Sequence, residues 1–220
     1  MIIVIDGPAG SGKSSTAKAL ANRLGINFLD SGALYRALTY TWIESGKPDK
    51  NTFFKNLLDV RLHVEYSGGQ FKVTVNDVDV TDKIRTSEVS NNVSEIASFP
   101  RARTFANNIM RELVKGDTYI ADGRDLGTAV FPDADLKFFM DASIEDRAKR
   151  RFDEIKSDQK DVTYKDVLEN LKMRDHKDQN RTSDPLRKAD DAILINTSGK
   201  TFMEQVDEMS TIINEKLTLN

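Results

Sequence analysis

A parallel β-sheet flanked by helices, with a small antiparallel insertion, is the fold class that this 220-residue sequence predicts. Three observations predict it. Short apolar runs alternate with helical stretches along the chain, the pattern of successive βαβ units. The first run, Ile2-Ile3-Val4-Ile5-Asp6, enters Gly7-Pro8-Ala9-Gly10-Ser11-Gly12-Lys13-Ser14, which reads G-x-x-x-x-G-K-S between a strand and a helix. Asp30-Ser31-Gly32 and Asp122-Gly123-Arg124-Asp125 follow two further runs. In an open parallel sheet such carboxyl-terminal strand ends converge on the ligand.

The first helix is expected from Ser14 to about Leu24, stopped by Gly25. Ile26 to Leu29 is the second strand. A helix follows, with Ser31 as its N-cap and Leu34, Leu38 and Trp42 in the core. Residues 60 to 80 change period. Val60, Leu62, Val64 and Tyr66 alternate with polar residues, Gly68-Gly69 follows, and Phe71, Val73 and Val75 alternate again. That is a β-hairpin, which 77–80 could extend as a third strand. Asp77 and Asp79 lack a Ca²⁺-loop pattern and read as turn residues. Helices are expected over about 86–98 and 100–115, the second with Phe105, Ile109 and Leu113 on one face. Strands at 119–121 and 136–140 precede a charged helix over 144–155 and another over 164–180. A last strand, 192–195, leads to an amphipathic helix marked by Phe202, Val206, Met209 and Ile213.

Bulk composition excludes several chemistries. There are no cysteines and only two histidines, His63 and His176, so thiolate nucleophiles, disulfides and His-rich metal sites are out. His63 falls on an alternating strand and reads as exposed. No secretory signal or membrane-length apolar run is legible, so a cytoplasmic protein is expected. A net charge of −3 argues against a nucleic-acid binder. Residues 147–188 nevertheless hold thirteen Lys/Arg against nine Asp/Glu, a cationic surface suited to small polyanions.

The glycine-rich segment carries the most specific chemistry. Its glycines, at 7, 10 and 12, do not fit the dinucleotide order G-x-G-x-x-G. They fit a nest of N–H groups around a triphosphate, closed by the positive end of the following helix. Gly7 to Ser14, with Ser15, are the candidates for binding a nucleoside triphosphate; Lys13 would reach the β- and γ-phosphates, and Ser14 would ligate Mg²⁺. Asp122, at a strand end, is the candidate second Mg²⁺ residue, with an N-cap as the plainer reading; Asp6 is a weaker candidate. Arg36 and Arg124 lie just past strand ends, and Arg147, Arg151, Arg174 and Arg181 come from later helices. Arginine forks suit an acceptor phosphate and the charge that spreads during phosphoryl transfer. A GTP-binding switch would need an N-K-x-D segment, and none occurs.

Asp30-Ser31-Gly32-Ala33-Leu34-Tyr35-Arg36 is similar to the D-[ST]-G-x-[LIM]-Y-R block of cytidylate kinases. Phe99-Pro100-Arg101-Ala102-Arg103, Asp122 to Thr128, Phe131-Pro132-Asp133-Ala134, Arg174-Asp175 with Asn180-Arg181, and Pro185-Leu186 resemble further blocks in the same order. The resemblance runs essentially end to end, and the three-stranded insertion resembles the bacterial type. Asn196 departs from it, standing where the family usually has Asp. The resemblance implies a P-loop kinase in one domain, 1–220, with a five-stranded parallel sheet. It implies a monophosphate-binding region over about 31–100, with the insertion near 60–80, and a lid over about 147–163. It implies phosphoryl transfer from ATP, with Mg²⁺, to CMP or dCMP. Ser94, Arg103 and Asp125 would then read cytosine. Arg36, Arg124 and Arg181 would hold the acceptor phosphate, and Ser31, Arg174 and Asp178 the sugar. Arg147 and Arg151 would close over ATP, acting in catalysis with Lys13, Arg124 and Arg181. The partners are small nucleotides, with no nucleic acid and no membrane, and a monomer is expected. Another small-acceptor P-loop kinase, for shikimate or dephospho-coenzyme A, fits the hairpin and the Arg103/Asp125 pair less well.

Overall fold

A computed structural model describes residues 1–55, 57–157 and 161–218. Asp158, Gln159 and Lys160, inside the expected lid, lie outside the described residues. In chain order the strands are β1 (Ile2–Asp6), β2 (Asn27–Asp30), β3 (Leu62–Ser67), β4 (Gln70–Val75), β5 (Val78–Asp79), β6 (Tyr119–Asp122), β7 (Leu136–Asp141) and β8 (Ile193–Asn196). The helices are α1 (Lys13–Leu24), α2 (Ser31–Glu44), α3 (Lys50–Lys55), α4 (Ser87–Ile96), α5 (Pro100–Leu113), α6 (Ile144–Ile155), α7 (Tyr164–Asn180) and α8 (Phe202–Thr218).

The main sheet has five strands in the order β2-β6-β1-β7-β8, every pair parallel. Its central strands carry apolar runs because helices cover both faces, leaving Ile3, Val4, Ile5, Ile120, Phe138 and Met140 buried. The order reverses about β1, which therefore opens the crevice where such sheets bind ligands. Register brings the ends of neighbouring strands level: Asp30 pairs with Asp122, and Ile5 with Asp122.

The antiparallel strands β3-β4-β5 form the insertion, turning at Gly68-Gly69 and again at Asn76-Asp77, all four residues at positive φ. Asp77 pairs with Arg61 on the surface and Asp79 accepts from the Thr81 N–H, as turn residues do. The insertion is not a free lobe. Phe71, Val73 and Val75 join the same apolar core as β1 and β2. Phe28 of β2 meets Tyr66 and Phe71 edge-on, at ring separations of 5.9 and 6.0 Å.

One local expectation is corrected. Asp30, not Ser31, caps α2, its Oδ1 accepting from the Ala33 N–H at 2.9 Å. The strand thus runs one residue further and Ser31 begins the helix. In α5 Phe105, Ile109 and Leu113 do share one face, half-buried against the core. Beside it Ala102, Arg103, Ala106, Asn107 and Met110 are fully buried, a strip that an apolar count does not find because it contains an arginine. After β6 the chain makes a single wide π-type turn, Leu126–Val130, unforeseen in the sequence. No helix among the described residues is long and apolar enough to cross a membrane.

Candidate active site

The phosphate loop leaves β1 through Gly7, where a Cβ would lie 2.0 Å from the Met140 carbonyl oxygen of β7, so only glycine fits. Gly12, at φ 91°, precedes α1, and the first turn of α1 has no acidic residue. The helix's positive end and its unpaired N–H groups therefore face the loop. Lys13 is buried, and its Nζ donates to the Pro8 carbonyl at 2.6 Å and to Ser11 Oγ at 3.2 Å. Burial, then the nearby Arg124, hold its pKa well below the ordinary lysine value, against the pull of Asp122, Asp6 and Asp178. An ammonium whose hydrogen bonds among the described residues go only to neutral oxygens gains from an incoming phosphate.

Ser14 Oγ donates to Asp122 Oδ2 at 2.6 Å, while the buried Oδ1 has no hydrogen-bond partner. Burial, then repulsion from Asp30, raises the Asp122 pKa. A hydroxyl beside an unfilled carboxylate oxygen fits Mg²⁺, which Ser14 and Asp122 would hold together with phosphate oxygens of the nucleotide and water. No cluster of three metal-ligating Asp, Glu, His or Cys side chains occurs among the described residues, and this mode of binding needs none. A carboxyl with a raised pKa keeps its proton at a pH where an ordinary one has lost it, so acid competes with Mg²⁺. The Mg²⁺ concentration giving half-maximal activity should therefore rise as pH falls from 8 to 6. A pH-independent requirement would remove Asp122 from the metal site.

Asp6 does other work. Its two oxygens accept from the Leu126 and Gly127 N–H groups at 2.9 and 2.7 Å, holding the π-type turn against β1. Burial raises its pKa to about 6, although both N–H groups favour the anion. Asp6→Asn would aim an amide N–H₂ at one of those donors. It should cost about 2 kcal/mol, read as a lower urea midpoint, and an unchanged midpoint would show that the turn holds without it.

Two cavities open above the strand ends, one of about 780 Å³ over the phosphate loop and one of about 110 Å³ beside it. They share Ser14 and the arginines Arg36, Arg85, Arg124 and Arg174. Arg36 and Arg174 are both held down to about 10, by burial first and by neighbouring guanidinium groups as well. Arg174 Nε is buried without a partner. Arg124 Nε donates to Asp178 at 3.0 Å, Arg85 to Asp30 at 2.7 Å, and Arg36 to Ser90 at 2.9 Å. Crowded cations with partly unmet donors make a site for anions on both sides. The sequence reading missed Arg85, because nothing local distinguishes it. It ends a 3₁₀ turn, Lys83–Arg85, and reaches the site only through tertiary packing.

The small cavity also reaches Tyr35, Ser94, Asp125 and Arg181. Buried Asp125 accepts from Arg103 at Oδ2 and from Arg181 at Oδ1, the latter at 2.7 Å. Arg103 lies over the Tyr35 ring at 5.7 Å. Ser31 Oγ donates to the Asp122 carbonyl at 2.6 Å, and Asp178 is buried against Arg124. The structure thus gathers Ser31, Arg36, Ser94, Arg103, Arg124, Asp125, Arg174, Asp178 and Arg181 within or against one cavity wall.

Arg147 does not line the large cavity. It donates to Ala9 O at 2.9 Å, to Ala142 O at 3.0 Å and to Asp175 at 2.7 Å, tying the back of the phosphate loop to α6 and α7. Arg151 does line the cavity, and so does Arg150, which bonds Thr197. Buried Thr197 lies against the Ser11 carbonyl at 3.4 Å. Asn196, the departure from the family pattern, accepts from the Ser198 N–H and shapes that turn.

A phosphate loop at the reversal of a parallel sheet, with a second anion pocket facing it across shared arginines, defines the class of P-loop kinases acting on small phosphorylated acceptors. Within that class the chain belongs to the cytidylate kinase family, whose model matches residues 3–215. The cytidylate kinase of Clostridioides difficile is 40% identical over 214 residues, 97% of this chain and 98% of that one. That of Fervidobacterium nodosum is 41% identical over 214 residues, covering 97% and 96%. A crystal structure of an uncharacterized protein from Eubacterium ventriosum shares the fold, with a TM-score of 0.54, 14% identity and coverage of 97% of this chain and 98% of its own.

Proposed function

We propose that this chain catalyses ATP + CMP (or dCMP) ⇌ ADP + CDP (or dCDP), a nucleoside monophosphate kinase reaction of pyrimidine metabolism. The observation that carries it is the wall of Arg36, Arg85, Arg124 and Arg174 common to both cavities. A donor phosphate above Lys13 and an acceptor phosphate in the small cavity meet there, where fixed cations offset their repulsion and the charge that spreads in the transition state. Arg36, Arg85, Arg124 and Arg181 grip the acceptor phosphate, and Ser31, Arg174 and Asp178 face the sugar. Ser94, Arg103 and Asp125 meet the base. A carboxylate has about four lone-pair sites, so Asp125 can serve two arginines and still accept from the exocyclic amine of cytosine. Uracil would set a carbonyl oxygen against the same acceptor.

Ser14 and Asp122 would hold Mg²⁺, which would shield the donor phosphates and supply charge stabilisation. No general base is assigned, because the acceptor is already a phosphate oxyanion. Arg150 and Arg151 carry the lid's part over ATP, and Arg147 supports the loop from behind. Closure of 147–163 excludes water, the competing acceptor. The chain acts as a cytoplasmic monomer on free nucleotides. A coupled assay with ATP, Mg²⁺ and CMP, dCMP, UMP, AMP and GMP tests the reading. CMP and dCMP should be turned over fastest, with UMP lower in kcat/KM by about a hundredfold or more. Equal rates with UMP or AMP would overturn it.

A further inference from the structure

We infer that Asp184, which does not line either cavity, is a positioning residue that sets the acceptor-base reader from outside. Its carboxylate Oδ2 accepts from Arg103 Nε at 2.7 Å. Its backbone carbonyl accepts from Arg181 Nε at 2.7 Å and from Arg181 Nη2. Asp125 bridges the same two arginines from the cavity side. The four residues close a ring, Arg103–Asp125–Arg181–Asp184, with Asp184 on its solvent side, 38% exposed at the side chain.

Asp184 also has a left-handed backbone, φ 48°, directly before Pro185. A non-glycine residue persists there only when its surroundings over-determine it. Of the other non-glycine residues at positive φ, Lys47 follows α2 and Asn76 and Asp77 turn the surface hairpin, so among the described residues Asp184 alone lies against the site. The next amide, Leu186 N–H, bonds the carbonyl of Asp178 at 2.8 Å, joining the segment to another cavity residue.

The consequence concerns orientation. Arg103 spends Nη2 on Asp125 and Nε on Asp184, leaving Nη1, whose one hydrogen bond among the described residues is to the Ala97 carbonyl at 3.4 Å. Two anchors fix the plane of the guanidinium, whereas one would leave it free to swing about Asp125. Base discrimination then depends on a residue that never touches the base.

The inference rests on the acceptor reading proposed above, and its test separates the two. The wild-type preference among CMP, dCMP and UMP judges that reading; the variants judge Asp184. Asp184→Gly keeps the carbonyl, suits the left-handed backbone and removes the carboxylate. It should leave the melting temperature near wild type, and KM for ATP and kcat within about twofold, while KM for CMP rises about tenfold and the CMP/UMP ratio falls alike. Asp184→Asn, which keeps an acceptor oxygen, should restore part of the CMP affinity. Unchanged KM and selectivity in Asp184→Gly would overturn the inference. So would an equal change in KM for CMP and UMP in either direction, a fall marking Asp184 as a counter-charge to the phosphate site and a rise marking it as a structural residue.

Discussion

Lys13→Ala is expected to lower kcat by about a thousandfold, the scale seen when a fixed charge or donor is removed from a transition state. The fold should survive, and the sign of the stability change is itself informative. Lys13 is buried among neutral oxygens with its pKa held down. A lysine whose folded pKa lies below its unfolded value costs stability wherever the unfolded chain holds the proton more tightly, which includes neutral pH. The alanine variant should thus melt at the wild-type temperature or above it while losing turnover. Loss of activity with loss of fold would point to a structural lysine. Near-normal activity would remove Lys13 from phosphate binding. Stability spent to keep a cation poised in a site is the pattern of a functional residue.

What was legible in the sequence was what contiguous residues determine. The phosphate loop states its geometry in eight adjacent positions, and β1, α6 and α7 take nearly the bounds that periodicity and caps suggest. Less legible were side chains whose partners lie far along the chain. Arg147 looks like a lid arginine by position, yet it reaches Ala9, 138 residues away, and holds the loop from behind. Arg85 sits in a nondescript turn and enters the site because Asp30 draws it there across 55 residues. Asp6 and Asp122 are both strand-end acids. Only packing shows that Asp6 meets two backbone donors, while Asp122 keeps an oxygen free. The burial of Arg103 on α5 has the same origin, since it is held by its distant partners Asp125 and Asp184 and not by its own hydropathy.

Asp125→Asn is expected to damage selectivity and stability together, by separable routes. The Asp125 side chain is 6% exposed and its carboxylate is the shared acceptor of Arg103 and Arg181. An asparagine must point N–H₂ at one guanidinium and leaves two buried cations short of one negative charge. Breaking a buried pair in this way costs about 3 kcal/mol, read in urea denaturation. Selectivity changes for another reason. The carboxylate has only acceptors, so it can meet the cytosine amine and cannot meet the uracil carbonyl. An amide turned about its terminal torsion presents a donor to uracil. kcat/KM for CMP should fall by about a hundredfold or more, and that for UMP should fall less, drawing the ratio towards unity. Measuring both nucleotides on the same folded preparation separates the effects, because lost packing weakens both alike. A ratio unchanged in a less stable variant would reduce Asp125 to a counter-ion, since only a carboxylate that meets the base makes selectivity depend on its lone pairs.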